Sequence, residues 1–394
     1  MILITENKQE QIDYLAAMKA VQTDHGVGLY KQAFQMLRFA TSKNKIHPGD
    51  YFEFLLFRPS LSADAKTEFL SYTSNLALNS RLAPPDLANH NSLLADKLLS
   101  GLLLKSSGFP VPNIKAVYSE NQQYYTPRTL RTRDEIIKFI TDKKNLPVFG
   151  KPGFGSRSIG CISIIARSPD KTEITLGDMR QVNASELASE IAAHYSDGYL
   201  FQEVLEQPGD IQNLVGPTAA TIRICTVQLK DGPQVLYAVW KLPKKCKAID
   251  YWGDAGVRGY ALIDVADGKV TRVHKKDGLN SGPVTYSIST GKPLIGIAIP
   301  DWKTCKDLAI SAHNLFPDHG LLGWDIILTK RGPVINEVNT NPLHLIYQNA
   351  ADRGFFNPDF MPLLRQAQDL ITTKQTKRKS RKNTSNRFSL NRKI

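Results

Sequence analysis

The stretch from Leu322 to Pro342 constrains this chain more than any other. Two apolar runs, residues 326–328 and 334–335, flank Lys330-Arg331-Gly332-Pro333, a pattern that predicts a hairpin turn between two strands. Asp325 stands six residues before Arg331, and Glu337 six residues after it. In a symmetric hairpin the two carboxylates sit opposite each other, roughly 5 Å apart. Glu337 and Asn339 are two residues apart and share one face of a strand. Three oxygen donors converging on one face suit a hard cation such as Mg2+. An Asp beside a turn is most often merely solvated, so the inference rests on the constellation and not on one residue.

At 394 residues the chain can form two or three packed subdomains with a sizeable core. No apolar run approaches the ~18–20 residues of a membrane span, and the N-terminus lacks the charged and long apolar regions of a secretion signal. Four scattered cysteines, Cys161, Cys225, Cys246 and Cys305, show no CxxC spacing. They read as reduced thiols in a cytoplasmic protein. Net charge is +13, but nine Lys/Arg and no acid lie from Ile371 onward, leaving 41 basic against 37 acidic residues in the body. That distribution gives no basic face for specific nucleic-acid binding. It reads instead as a disordered tail, solubilising or in weak electrostatic contact with an anionic membrane or polyanion. Removing everything after Leu370 should then leave turnover unchanged.

Residues 1–90 read as mainly helical, with helices over 9–23, 30–41 and 63–78 and a break at His47-Pro-Gly-Asp50. One amphipathic helix is expected over 91–107, followed by short strands at 114–118 and 124–126 and a helix over 133–143. A helix over 184–195, strands at 199–205, 221–229 and 235–242, and a helix over 301–315 lead into the hairpin. Between residues 146 and 165 lies a strand, a loop with Gly153, Gly155 and Gly160 interleaved with Ser156 and Ser158, and a second strand. A Walker A loop would need GK[ST] and a following helix, and a GxGxxG dinucleotide loop fails on Ser158. A kinase loop lies between strands, but the HRD and DFG motifs are absent. What remains is a strand–loop–strand lid able to cover phosphates, with an ordinary Gly-Ser hairpin as the alternative. Arg223 alternates with Ile222 and Ile224, so a basic side chain on an apolar strand needs an anion, either a structural carboxylate or a bound phosphate.

In this order the residues resemble the ATP-grasp superfamily, and most closely its sugar-transfer-associated branch, related to D-alanine–D-alanine and glutamate ligases. The resemblance covers roughly residues 90–345 and is carried most strongly by Gly323-Trp-Asp325-Ile through Glu337-Val-Asn339-Thr-Asn341-Pro342. It implies an α+β ATP-grasp fold, two subdomains gripping ATP, preceded by the mainly helical region. The implied divisions are 1–90, an N-terminal subdomain at 91–210, a C-terminal subdomain at 211–370 and the tail at 371–394. By resemblance Lys97 and Lys151 contact phosphate, Gly153, Gly155, Ser156 and Ser158 form the lid, and Glu203, Val204 and Leu205 read adenine. Asp210 is a weaker match to a ribose-binding acid. Arg223 neutralises the transferred phosphoryl group, and Asp325, Glu337 and Asn339 hold two Mg2+, or Mn2+, with Glu337 bridging.

Departures also show. Asp250-Tyr-Trp-Gly-Asp-Ala-Gly256 keeps only part of the branch's mid-chain element, which weakens any acceptor role for Lys241 and Arg258. The helical start differs from the leading domain of the D-alanine ligases and disfavours that assignment. His344 and Gln348 read either as acceptor-pocket residues or as packing. The implied activity is an ADP-forming carboxylate–amine ligase, with donor and acceptor unidentified and a sugar or glycan context suggested by the branch. A kinase acting on a hydroxyl compound and an inactive nucleotide-binding module are the alternatives. Glu337→Gln and Asp325→Asn should each abolish turnover with little change in stability.

Overall fold

The computed structural model describes residues 2–3, 12–83, 88–155, 158–243 and 257–390. Helices come first: α1 (Tyr14–His25), α2 (Leu29–Ala40), α3 (Pro48–Glu53), α4 (Ala63–Thr67) and α5 (Tyr72–Leu82). The stretch expected as one helix over 63–78 is two, because the Ser71 hydroxyl accepts from Ser74 N and starts α5 afresh. The expected break at 47–50 opens α3 instead. Pro48 fits a first helical turn, and His47 and Asp50 close a capping box. Helical spacing correctly marks α1 and α2, yet Leu15, Phe34 and Leu37 remain exposed. The core of this region is built from Val21 and Phe39 against Tyr51, Phe52, Leu56 and Phe57.

Next come α6 (Ala88–Ala95) and α7 (Lys97–Ser106), where one helix was expected. Asp96 divides them: its carboxylate accepts from Leu98 N and Leu99 N, and a new helix begins. The wedge of α7 touches both halves of the fold, placing Leu98 beside Val117 and Leu200 of the first sheet and Leu104 in the core of the second.

The first sheet contains β1 (Ile114–Tyr118), β2 (Arg128–Leu130), β3 (Val148–Pro152), β4 (Ile162–Arg167), β5 (Glu173–Leu176), β6 (Gln181–Asn183) and β7 (Tyr199–Glu203). Its order is β2-β1-β7-β3-β4-β5-β6. The helices α8 (Arg133–Ile140) and α9 (Ala184–His194) bury Ile136, Phe139, Leu187 and Ile191 on one face. The strand expected at 124–126 lies at β2, because Tyr124 N bonds the Thr129 hydroxyl and closes a turn there.

After α10 (Gly209–Val215), the second sheet contains β8 (Thr221–Leu229), β9 (Gly232–Leu242), β10 (Arg258–Ile263), β11 (Val270–Lys276), β12 (Gly282–Val284), β13 (Leu321–Thr329) and β14 (Gly332–Asn339). Its order is β12-β11-β10-β9-β8-β13-β14. On one face α11 (Trp302–His313) packs Cys305 and Ala309 against Ile222, Ile224, Trp324 and Ile326. On the other, α5, α12 (Leu345–Ala351) and α13 (Met361–Leu390) cover Cys225, Val227 and Tyr237. Alternation along β8 and β13 therefore turns Arg223 and Asp325 to the α5–α12 side.

The backbone of α13 is helical through Leu390, where a disordered tail from 371 was expected. Lys, Arg and Gln are good helix formers, and the early part of the segment is anchored. Ile371 is buried, and Lys374 donates to Pro317 O at 2.6 Å. A cut after Leu370 would thus remove the buried Ile371. Among the described residues no helix is long and apolar enough to cross a membrane.

Candidate active site

The hairpin delivers its two acids through a register the sequence conceals. The turn is the two-residue Lys330-Arg331, with Thr329 paired to Gly332. A regular ladder from there would set Asn336 opposite Asp325. Instead a bulge between Asp325 and Ile326 on the β13–β14 ladder makes Asn336 the extra residue, and Glu337 becomes the partner of Asp325. The expected pairing is present, produced by a bulge and not by symmetry.

Asp325 is almost fully buried and surrounded by cations. Arg223 donates Nε to Oδ1 at 2.6 Å and Nη2 to Oδ2 at 3.0 Å, and Lys241 donates to Oδ2 at 3.1 Å. Burial alone would raise the carboxyl's pKa, but Arg223 and Lys241 outweigh it and hold the group well below the usual carboxylate range. Gly323 makes the fork possible: a Cβ there would lie 2.9 Å from Pro342 Cβ and 3.3 Å from Arg223 Cδ. Glu337 is more open, with Lys97 Nζ at 3.9 Å. A carboxylate pair offers about four lone-pair sites per group, so Asp325 keeps one free and Glu337 most of its own. Asn339 Nδ2 is buried without a partner among the described residues. Rotating that amide by half a turn presents Oδ1, an oxygen donor, to the same place. Asp325, Glu337 and Asn339 therefore fit a hard cation.

The described start of the loop after β3, Gly153–Gly155, is held against Lys97. Lys97 N bonds Gly153 O at 3.0 Å, and Lys97 Nζ bonds Gly155 O at 2.5 Å. Gly155 has φ 118°, a conformation that favours glycine. Ser158 adopts φ 58°, unusual for a residue with a side chain, and lines three neighbouring spaces. Ser156 lies outside the described residues. Lys151 points inward from the end of β3, and burial pushes its pKa down to about 8 despite the nearby Glu337 charge. Burial likewise raises the Cys161 thiol to about 11, so it is protonated and no nucleophile at neutral pH.

The three spaces sort the sequence-derived residues. A chamber of about 460 Å3 is edged by Glu203, Val204 and Leu205, with Phe149, Met179 and Ile327 as apolar walls. A neck of about 90 Å3 holds Lys97 and Lys151 beside Phe154 and Glu337. A second chamber of about 390 Å3 contains Arg223, Lys241, Asp325, Glu337 and Asn339. The Glu203 carboxylate turns away to Asn113 N at 2.7 Å and to Arg331, so it is the hinge backbone that faces the first chamber. Asp210 does not join it. Exposed in the first turn of α10, its carboxylate accepts from Ile211 N at 2.9 Å.

Two contributions were missed or discounted. Lys241, set aside with the neighbouring segment 250–256, binds Asp325 directly; that segment itself lies outside the described residues. Its cross-strand pairing with Thr221, two residues from Arg223, was the available signal. The helical region also belongs to the site: Tyr72 and Asn75 of α5 line the second chamber. Asn75 and Asn79 donate to Pro342 O at 3.2 and 3.0 Å and fix the loop that follows the metal strand. His344 and Gln348 take the packing role. His344 Nε2 bonds Asn79 Oδ1 at 3.1 Å, which only accepts, so Nδ1 accepts from the Tyr237 hydroxyl at 3.0 Å. Gln348 bonds the backbone of Leu70 at 2.8 and 3.1 Å.

Two sheets closing on a cleft, with a glycine loop from one and an Asp–Glu–Asn strand pair from the other, define an ATP-grasp protein. Residues 78–359 match the sugar-transfer associated ATP-grasp family, and the chain belongs to that family. No curated protein matches it. Among solved structures it is similar to the D-alanine-D-alanine ligase of Coxiella burnetii, with 12% identity and a TM-score of 0.42 over 75% of this chain and 62% of that one. It is also similar to the ATP-grasp ligase PsnB, solved with precursor peptide PsnA2 and AMPPNP, at 16% identity and TM-score 0.36 over 71% and 60%. The Helicobacter pylori D-alanine-D-alanine ligase gives 12%, 0.40, 70% and 61% in the same terms. The chain thus spans about 60% of the length of these structures.

Proposed function

We propose that the protein is an ATP- and Mg2+-dependent ligase that activates a carboxylate as an acyl phosphate and joins it to an amine. The observation carrying this reading is that the hinge chamber, the lysine-lined neck and the carboxylate chamber share walls: Ser158 lines all three, Phe149 the first two and Glu337 the last two. Adenine fits the first, against hinge backbone and apolar walls. Phosphates fit the neck between Lys97 and Lys151, with the terminal one reaching toward Arg223 and Lys241.

A donor carboxylate oxygen attacks the γ-phosphorus, the bond to the bridging oxygen breaks, and ADP leaves. Developing charge on the transferred group is what the cations are placed to stabilise. Bound Mg2+, two ions or Mn2+ in their place, supplies further neutralisation at Asp325, Glu337 and Asn339. The Gly153–Gly155 backbone, tied to Lys97, keeps water from the acyl phosphate. An amine then attacks the acyl carbon and phosphate departs. The family description supports a sugar-linked donor or acceptor, and the free thiols Cys161, Cys225 and Cys305 support a cytoplasmic setting.

The test is ADP release with Mg2+, ATP and hydroxylamine across pooled carboxylic acids, with hydroxamate read from the same tubes. Hydroxamate together with ADP is the expected outcome. ADP with no hydroxamate from any pool would replace the ligase with a kinase. ATP binding without ADP from any pool would leave a nucleotide-binding module.

A further inference from the structure

A separate cavity of about 820 Å3 lies behind α5, bounded by the end of α2, by α4 and by the start of α13. The helix α5 is the wall between it and the cleft. Tyr72 and Asn75 face the carboxylate chamber, while Ser74, Ala77, Leu78 and Arg81 face the cavity. Phe39, Ile46, Phe69, Phe356 and Leu364 give it an apolar lining.

Its polar side is one-signed. Lys43, Lys66, Arg81 and Arg365 line it, and no Asp or Glu does. None of the four has an ion-pair partner among the described residues. Lys66 is the informative one: its stem is packed, leaving the residue only 7% exposed, while it lines the cavity and its ammonium is not among the buried unpartnered atoms, so the charged end opens into that space. A lysine whose stem is held in the wall and whose ammonium opens into a partly apolar cavity is placed to meet an anion there. Glu68, two residues further along, is already paired with Arg353 at 3.6 Å. Burial and the like charges of Lys31 and Arg58 lower the Lys66 pKa, as expected for a cation lacking its counter-ion.

We propose that this cavity binds an amphiphilic anion: a phosphate or carboxylate head held by Lys66 and the rim arginines, on an apolar body packed against Phe39, Phe69 and Leu364. An apolar pocket with a few convergent charges is the usual form of a small-molecule site. The site stands apart from the nucleotide cleft and does not depend on the proposed ligase reaction.

The test is calorimetric titration of the full chain, held saturated with Mg-AMPPNP, with octyl phosphate, octanoate, octanol and inorganic phosphate. At least one of the two amphiphilic anions should bind about tenfold or more tightly than octanol or phosphate, and which one does identifies the head group. Lys66→Met should weaken it by a similar factor while leaving the unliganded melting temperature about equal, since the packed apolar stem is kept and no ion pair among the described residues is lost. Arg365→Gln, at an exposed position, should weaken it severalfold and carries the test if the Lys66 variant does not fold. Octanol binding as tightly as both anions would overturn the proposal. So would unchanged affinity in every variant that folds, or full displacement of the anion by AMPPNP.

Discussion

Asp325 and Glu337 face each other across one hairpin, yet their surroundings give them different duties. Both oxygens of Asp325 are held by Arg223 and Lys241 in a buried setting, so its charge supports the fold as well as the site. Asp325→Asn leaves two cations uncompensated and should cost about 3–5 kcal/mol. For this residue the buried fork argues against the small stability change expected from the sequence. Among the described residues Glu337 makes one ion pair, with Lys97 at 3.9 Å, and Glu337→Gln should change stability by no more than about 1 kcal/mol. Its loss should still lower turnover by about a hundredfold or more. Urea denaturation and ADP release on both variants test the division. Equal destabilisation would mean that the Arg223 fork is unimportant. Lys151 offers a second residue-scale prediction. With its pKa pushed down to about 8, it is charged below that pH and increasingly neutral above it. ATP phosphates prefer the charged form, so the apparent KM for ATP should rise above pH 8, by up to about tenfold per unit. Lys151→Arg, charged throughout, should flatten the profile. A wild-type KM that is constant from pH 7 to 9.5 would remove Lys151 from the phosphate path.

At the scale of elements, the sequence made the hairpin legible because turn residues and apolar runs are local signals. It could not reveal the bulge at Asn336, which depends on how β14 meets β13 and on what lies across the ladder. The helix breaks at Asp96 and Ser71 were concealed for a related reason. Side-chain caps compete with helix continuation, and the winner is set by what the freed backbone meets next, here Gly153 O for Lys97 N. Lys241 was discounted because the segment following it departs from the family pattern, although its own strand places it beside Arg223. Gly323 exemplifies a constraint that only packing shows. A methyl group at that position must displace the Pro342 ring or Arg223. Gly323→Ala should therefore cost about 1–3 kcal/mol and reduce turnover beyond what stability explains, by shifting the fork on Asp325. Thermal melts and kinetics on this variant decide the matter. Wild-type turnover would show that the close approach has slack.

For the whole molecule, the helical region proves to be a buttress of the site through Asn75 and Asn79, a role invisible in a segment read only for helix period. The same packing buries titratable groups, and this makes stability depend on pH in a calculable direction. Burial lowers His274, His313 and His319 to about 4 and His344 to about 3. His313 holds Thr226 at 2.7 Å and His319 O at 2.9 Å as a neutral ring, and a second ring proton would break the former contact if Thr226 could not turn. Each folded value lies below the unfolded one near 6.5, so this stabilisation is complete above pH 6.5 and is lost as pH falls toward 4. Asp50 works the other way. Burial raises it to about 6, so between pH 4 and 6 the folded state holds one proton the unfolded state has released. Near pH 5 unfolding therefore takes up four protons and gives back one. A net uptake of three corresponds to a slope of about 4 kcal/mol per pH unit, so a drop from pH 6 to pH 5 removes much of a typical folding free energy. Urea midpoints at pH 7, 6 and 5 measure that slope directly, and a stability that stays level across this range would mean that these histidines reach solvent in the folded state.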